Sequence, residues 1–216
     1  RRCRTHLELS AGRPFKTLLV ASGHAGDGKT SMACNLAAAF AAKYERVLLI
    51  DGNLRQPSLH IAFSSDQDDD QGRIGLTSFL AGQCTYQQAL RPSRAAGLDL
   101  IVAGPAVPNP AELLAGPRMK ELIERAVKEY DRVILDSPPV LLVSDAKILA
   151  KLAEASLLVF NAAATKRGAA ERTIFELEEV GANLVGCVLF GAEALKGGYF
   201  RQQYRAYRRY LKPQRA

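Results

Sequence analysis

The segment Ala21–Ser31, ASGHAGDGKTS, gathers residue types that can hold a phosphate. Gly23, Gly26 and Gly28 are expected to take backbone angles that a Cβ would forbid. Successive N–H groups can then turn inward around phosphate oxygens. The spacing Gly23-x4-Gly28-Lys29-Thr30 is that of a phosphate-binding P-loop. Lys29 would bridge the β- and γ-phosphates, and the Thr30 hydroxyl would ligate Mg²⁺. Gly23, Ala25, Gly26, Asp27, Gly28, Lys29, Thr30 and Ser31 are the expected nucleotide cradle. The plainer reading is a glycine-rich turn that happens to precede a helix.

Two further segments end in carboxylates. Arg46–Ile50 is a continuous apolar run after its first residue and leads into Asp51-Gly52-Asn53-Leu54-Arg55-Gln56-Pro57. Arg132–Leu135 leads likewise into Asp136-Ser137-Pro138-Pro139. Such runs read as parallel strands buried on both faces. Asp51 is placed to hold the water shell of Mg²⁺ or to poise a nucleophile, or, more plainly, to cap a turn. Asp136 stands at the Walker B position, where an apolar strand delivers one carboxylate near the metal. Thr30, Asp51 and Asp136 are the expected metal set.

These groups need a scaffold that alternates strand and helix. Thr17–Val20 reads as a strand, and Lys29 to about Tyr44 as a helix. Short helical stretches are expected over Gly75–Gly82 and Gln87–Leu90, and strands over Leu98–Val102 and Ala155–Phe160. Helices are expected from Pro110 to Leu114, over Arg118–Tyr130 with Met119, Leu122, Ile123, Ala126 and Val127 on one stripe, over Ser144–Lys151 with Ser144 as cap, and over Gly168–Val180. Leu184–Phe190 is the last strand. The alternation predicts an α/β fold, a doubly wound, mostly parallel sheet flanked by helices, of the P-loop NTPase class.

Composition narrows the function classes. The chain has 216 residues, 48% hydrophobic and 24% charged, enough for one domain with a sizeable core. No apolar run approaches the roughly 20 residues of a membrane helix, and no signal peptide is visible. The chain begins at Arg1 without Met, so any membrane segment would lie outside it. Cys3, Cys34, Cys84 and Cys187 form no CxxC pair and read as reduced, mostly buried residues of a cytosolic protein. His6, His24 and His60 lack metal-ligand spacing. Asp66, Asp68, Asp69 and Asp70 read as a solvated loop in preference to a metal site.

The formal net charge of +7 is a property of one segment. Residues 197–216 carry Arg201, Arg205, Arg208, Arg209, Lys212 and Arg215 and no acid, which leaves residues 1–196 near neutral. The same segment holds Tyr199, Tyr204, Tyr207 and Tyr210, four of the chain's seven tyrosines. A boundary is therefore expected between a catalytic domain, 1–196, and a basic tyrosine-rich tail, 197–216. The tail alone reads as a solvated helix, a nucleic-acid arm or a membrane-surface helix. Leu211 is its only sizeable aliphatic side chain, which argues against a strong lipid anchor.

Taken in order, GHAGDGKT, LLIDGNLRQP, VILDSPP and the tyrosine-rich tail resemble the cytoplasmic domain of bacterial tyrosine autokinases (BY-kinases) of capsule and exopolysaccharide export. The similarity runs over nearly the whole chain. Arg1-Arg2-Cys3-Arg4-Thr5 looks like the end of that family's ExxRxxR segment. Gly75–Gly82 and Pro108–Leu114 also look familial. The resemblance implies ATP and Mg²⁺ as cofactors, with Lys29, Asp51, Arg55 and Asp136 as the catalytic set. It implies that the tail tyrosines are phosphoacceptors presented to a neighbouring subunit. A ring-like homo-oligomer would form through the Arg1/Arg4 segment. Other implied partners are a transmembrane polysaccharide co-polymerase activator, fused upstream or separate, and a tyrosine phosphatase; nucleic acid is not among them. The implied location is cytoplasmic, at the inner face of the cell membrane. Each phosphotyrosine adds about −1.5 to −2 charges, so phosphorylating all four would cancel the tail's six positive charges.

Three positions depart from the family pattern. Asn53 stands where a second carboxylate is usual; it can hydrogen-bond but cannot act as a base or bring charge to a metal. Phe190 stands where an Asn lies near the adenine, and Asn161 where an Arg is expected. Two other readings therefore stay open. One is a weak or inactive ATP-binding oligomerising regulator. The other is a partitioning or division-site type P-loop ATPase. That class places a signature Lys after the first loop glycine, where this chain has His24.

Overall fold

Continuous apolar strands need cover on both faces, and the chain supplies it by switching sides. The structure is a computed structural model and describes residues 2–43, 45–63 and 74–191. Arg1, the acidic segment around Asp66–Asp70, the boundary near residue 196 and the four tail tyrosines lie outside the described residues. The order is α1 (Arg2–Ser10), β1 (Thr17–Ala21), α2 (Lys29–Ala41), β2 (Val47–Asp51), α3 (Leu59–Phe63), α4 (Leu76–Leu80), α5 (Tyr86–Ala89), β3 (Arg91–Pro92) and β4 (Leu98–Ile101). It continues with α6 (Pro110–Ala115), α7 (Pro117–Glu129), β5 (Arg132–Asp136), α8 (Asp145–Leu152), β6 (Ala155–Asn161), α9 (Arg167–Glu178) and β7 (Leu184–Phe190).

One sheet runs β3-β4-β2-β5-β1-β6-β7. Every described pairing is parallel except β3 with β4. Successive side chains in a strand point to opposite faces, and two cores follow. Leu18, Val20, Val47, Leu49, Ile134 and Leu157 face α2, with Leu36 and Phe40 against them. Leu19, Leu48, Ile50, Val133, Leu135 and Leu158 face the other side, with Leu122, Ala126, Leu149 and Leu177 against them. Burying one such large side chain fully stabilises the fold by about 1.5–3 kcal/mol. On α7, Met119, Leu122, Ile123 and Ala126 are buried and Val127 is half-buried, as the periodicity predicts.

The differences from expectation are local. The two-residue strand β3 was not legible, because it contains Pro92 and pairs only at the sheet edge. Helix α3 was not expected either. Ser144 does not cap α8 through its side chain; its carbonyl accepts from Lys147 N and Ile148 N instead. The cysteines are less buried than expected: Cys3, Cys34 and Cys84 are half-buried and Cys187 is exposed. Arg4, expected at a contact between subunits, donates to the Ala39 carbonyl of its own α2 at 2.6 Å. No described helix is long and apolar enough to cross a membrane.

The ends of β2 and β5 are brought together at Gly52, whose N–H donates to the Asp136 carbonyl at 2.9 Å. A Cβ at Gly52 would lie 2.6 Å from Leu149 Cδ1 and 2.7 Å from the Asp136 backbone oxygen. The backbone oxygen cannot yield without breaking the sheet end. Gly52→Ala is expected to cost about 1–3 kcal/mol, read as a lowered urea midpoint; an unchanged midpoint would contradict this account of the β2–β5 junction.

Candidate nucleotide and metal site

The sheet's winding reverses around β1, and the loop after β1 opens at its carboxyl end, where open α/β sheets bind ligands. Helix α2 starts from Gly28, which has φ +92° and no side-chain cap. Its first-turn amides thus lack an intrahelical or capping partner, which suits an anion. Gly26 also takes a positive φ, +83°. Gly23 corrects the sequence reading, since its φ is not in the left-handed region. It is small because a Cβ there would come 2.5 Å from Thr173 Oγ1 on α9. Val140 N donates to the Ser22 carbonyl at 2.9 Å, laying the Pro138–Pro139 exit against the loop.

The expected metal set is brought together. Asp51 and Asp136 are paired neighbours at the ends of β2 and β5, and both are fully buried. The Thr30 hydroxyl donates to Asp136 Oδ2 at 2.6 Å. Asp136 Oδ1 is buried with no hydrogen-bond partner among the described residues. A buried carboxylate oxygen without a donor is costly, and a hard cation would satisfy it. The donors present, two carboxylates and a hydroxyl, fit Mg²⁺. Lys29 is only 7% exposed, and its charge acts on Asp136.

Asp51 also realises the cap reading. Its Oδ1 accepts from Asn53 N and its Oδ2 from Leu59 N, both at 3.1 Å. It therefore shapes the 52–59 loop as well as facing Asp136. Burial pushes the Asp51 carboxyl up to about 6, against the amide hydrogen bonds from Leu59, Asn53 and Ser58. Burial, then the charge of Asp51, pushes Asp136 up to about 7, against the Thr30 bond and Lys29.

Other expected residues are placed differently. Arg55 forks onto Asp145 at the start of α8, Nε to Oδ2 at 2.9 Å and one terminal nitrogen to Oδ1 at 3.0 Å. Its charge is spent on that buried carboxylate and not on the Thr30–Asp136 cluster. Asn53 does not stand in for a carboxylate at the metal set. Its Nδ2 donates to the Gln56 carbonyl at 2.6 Å, and its Oδ1 accepts from Gln56 N at 3.3 Å. Phe190, at the end of β7, lies over the loop, with ring carbons 3.4 Å from where a Gly28 Cβ would sit. Asn161 holds the turn after β6, accepting from Ala163 N at 3.0 Å.

The sequence reading missed Ser58, Asp145, Thr165 and Thr173. Ser58 Oγ donates to Thr30 Oγ1 at 3.2 Å. Its signal was a Ser just before the apolar start of α3, an N-cap pattern. Thr165 lies one residue before the Lys166 cap position of α9 and carried no such signal.

These features define the P-loop NTPase fold, and the comparisons with known proteins narrow it. An AAA domain model matches residues 15–170. The tyrosine-protein kinase YwqD of Bacillus subtilis is 39% identical over 197 residues, covering 91% of this chain and 81% of that one. The tyrosine-protein kinase etk of Escherichia coli is 34% identical over 192 residues, covering 88% of this chain but 26% of its own length. The solved kinase domain of Escherichia coli ETK superposes with a TM-score of 0.83 at 32% identity, covering 91% of this chain and 76% of that one. The septum site-determining protein MinD of Pyrococcus horikoshii, solved with Mg-ADP, shares the fold at a TM-score of 0.67 and 23% identity, over 81% of this chain and 69% of that one. The chain belongs to the bacterial tyrosine-protein kinase family.

Two outcomes test the site. A carboxyl raised above its unfolded value binds its proton more tightly in the folded state. Its stabilising protonation is present at low pH and is lost as pH rises through about 6 to 7. In metal-free buffer, wild type is expected to lose melting temperature relative to Asp136→Asn between pH 5 and pH 8. A gap that stays constant across that range would contradict the buried pair. Asn53→Asp removes the donor to Gln56 and sets a carboxylate against a carbonyl. It is expected to destabilise by about 1–2 kcal/mol in urea, whereas a gain in stability would contradict the turn-closing role.

Proposed function

We propose that this chain is the catalytic domain of an ATP-dependent tyrosine autokinase. It transfers the γ-phosphoryl group to Tyr199, Tyr204, Tyr207 or Tyr210 in the tail of a neighbouring copy. In this division residues 1–196 carry the chemistry and 197–216 are its substrate. The observation that carries the reading is the buried Asp51–Asp136 pair with Thr30 bonded to Asp136, beside the uncapped amides of α2. Membership of the tyrosine-protein kinase family supports it.

The residues divide the work. The amides of Ala25–Ser31 would cradle the phosphates, and Lys29 would neutralise charge on the transferring group. Thr30, Asp136 and Asp51 would hold Mg²⁺, which when bound supplies positive charge to the β- and γ-oxygens. Asp51 would also stand beside the incoming tyrosine hydroxyl as its proton acceptor. The tyrosine oxygen bonds to the γ-phosphorus, the bond to the β–γ bridging oxygen breaks, and the tyrosine proton passes to Asp51 while ADP leaves. Arg55 would serve through its hold on Asp145, keeping the loop after β2 in place.

The chain spans 26% of the Escherichia coli relative, which supports a membrane-spanning activator, fused upstream or separate. In this reading the site of action is the inner face of the cell membrane. A ring-like homo-oligomer, a reversing tyrosine phosphatase and control of capsule or exopolysaccharide export complete the proposal. A second reading, a catalytically weak ATP-binding regulator, is favoured by Asn53, which brings no charge to the metal set.

The test is incubation of the chain, with its activator, in Mg-ATP, followed by anti-phosphotyrosine detection. Labelling is expected in wild type, reduced about 100-fold or more in Lys29→Met, and lost when the four tail tyrosines are changed to Phe. Nucleotide binding without labelling would favour the regulator, and ATP hydrolysis without labelling the partitioning-type ATPase.

A further inference from the structure

A carboxylate inside a phosphate-binding loop poses an electrostatic problem. Asp27 lies within the cradle, between Gly26 and Gly28, and carries the same sign of charge as the ligand. The structure spends that charge on the protein. Asp27 is 3% exposed. Its Oδ2 accepts from His24 N at 2.9 Å, and its Oδ1 accepts from the Thr165 hydroxyl at 2.8 Å. Thr165 is fixed in turn, because its Oγ1 accepts from Asn161 N at 3.1 Å and its own N–H donates to the Asn161 carbonyl at 2.7 Å. Asn161 ends β6, so the chain of bonds ties the loop to a rigid strand end beside β1.

We propose that Thr165 is a positioning residue for nucleotide binding. Its hydroxyl holds the Asp27 carboxylate to the turn after β6, and so keeps that negative charge from opposing the triphosphate at the loop amides. The inference rests on nucleotide binding at this loop. Without the hydroxyl, Asp27 Oδ1 either stays buried without a donor or turns toward the amides that the phosphates need. Both outcomes weaken binding, and the second weakens it in proportion to ligand charge. A clamp that only stiffened the loop would not discriminate between a triphosphate and a diphosphate.

The test is calorimetric titration of the chain with Mg-ATP and Mg-ADP. Thr165→Val is expected to weaken Mg-ATP binding about 10-fold or more and Mg-ADP binding by a smaller factor. Thr165→Ser, which restores the hydroxyl, is expected to stay within about 2-fold of wild type. Thr165→Val with Asp27→Ala is expected to bind Mg-ATP as Asp27→Ala alone does, because the charge to be restrained is gone. Thr165→Ala repeats the comparison should the Val variant fail to fold, with melting of the unliganded protein as the control. The proposal is overturned if Thr165→Val and Thr165→Ala bind Mg-ATP like wild type, if the loss is equal for the two nucleotides, or if it persists undiminished without Asp27. If wild type binds neither nucleotide, the nucleotide reading falls first and takes this one with it.

Discussion

The site depends on two acidic side chains being forced into a place without water. Asp51 and Asp136 end adjacent parallel strands and face each other across one rung of the sheet. Neither is exposed, and each raises the electrostatic cost of the other's charge. Such a pair is destabilising unless a proton, a cation or donor groups compensate it. Backbone amides serve Asp51, and the Thr30 hydroxyl serves one oxygen of Asp136. The remaining Asp136 oxygen has no hydrogen-bond donor among the described residues. The protein thus carries an unmet electrostatic demand at the spot where Mg²⁺ would bring positive charge.

The surrounding structure keeps that demand from relaxing. Gly52 lets the two strand ends meet without steric conflict. The Arg55–Asp145 fork and the Asn53–Gln56 turn hold the loop after β2 in one conformation. On the other side, Thr165 bonds the phosphate loop through Asp27 and Thr173 packs against Gly23. Residues that depart from the expected family pattern therefore have work within this fold. Asn53 closes a turn that needs both a donor and an acceptor, and an Asp offers only acceptors. Asn161 supports the turn that carries Thr165.

Much of this was legible in the residues. The phosphate loop, the strand-end carboxylates and the paired prolines are local patterns with local causes, and the two-sided burial of the strands follows from uninterrupted apolar runs. Gly23 was read correctly as a required glycine but for the wrong reason. The loop does not need an unusual angle there; it needs room for Thr173. Strand β3 and helix α3 were missed because each is too short to carry a period of its own and exists only by pairing or packing with something else.

The amino-acid order alone determined which groups are present and at which ends of which strands, because hydrophobic period and glycine placement act over a few neighbouring residues. Only the tertiary structure decided where the charges of Asp27, Arg55 and Asp145 are spent, and that Phe190 lies on Gly28. Those partners are 138 residues apart for Thr165 and Asp27 and 90 for Arg55 and Asp145. No local pattern encodes such pairs. They arise because winding a parallel sheet in two directions from β1 brings distant strand ends to one edge, where a buried charge bonds to whatever donor the packing has placed within reach.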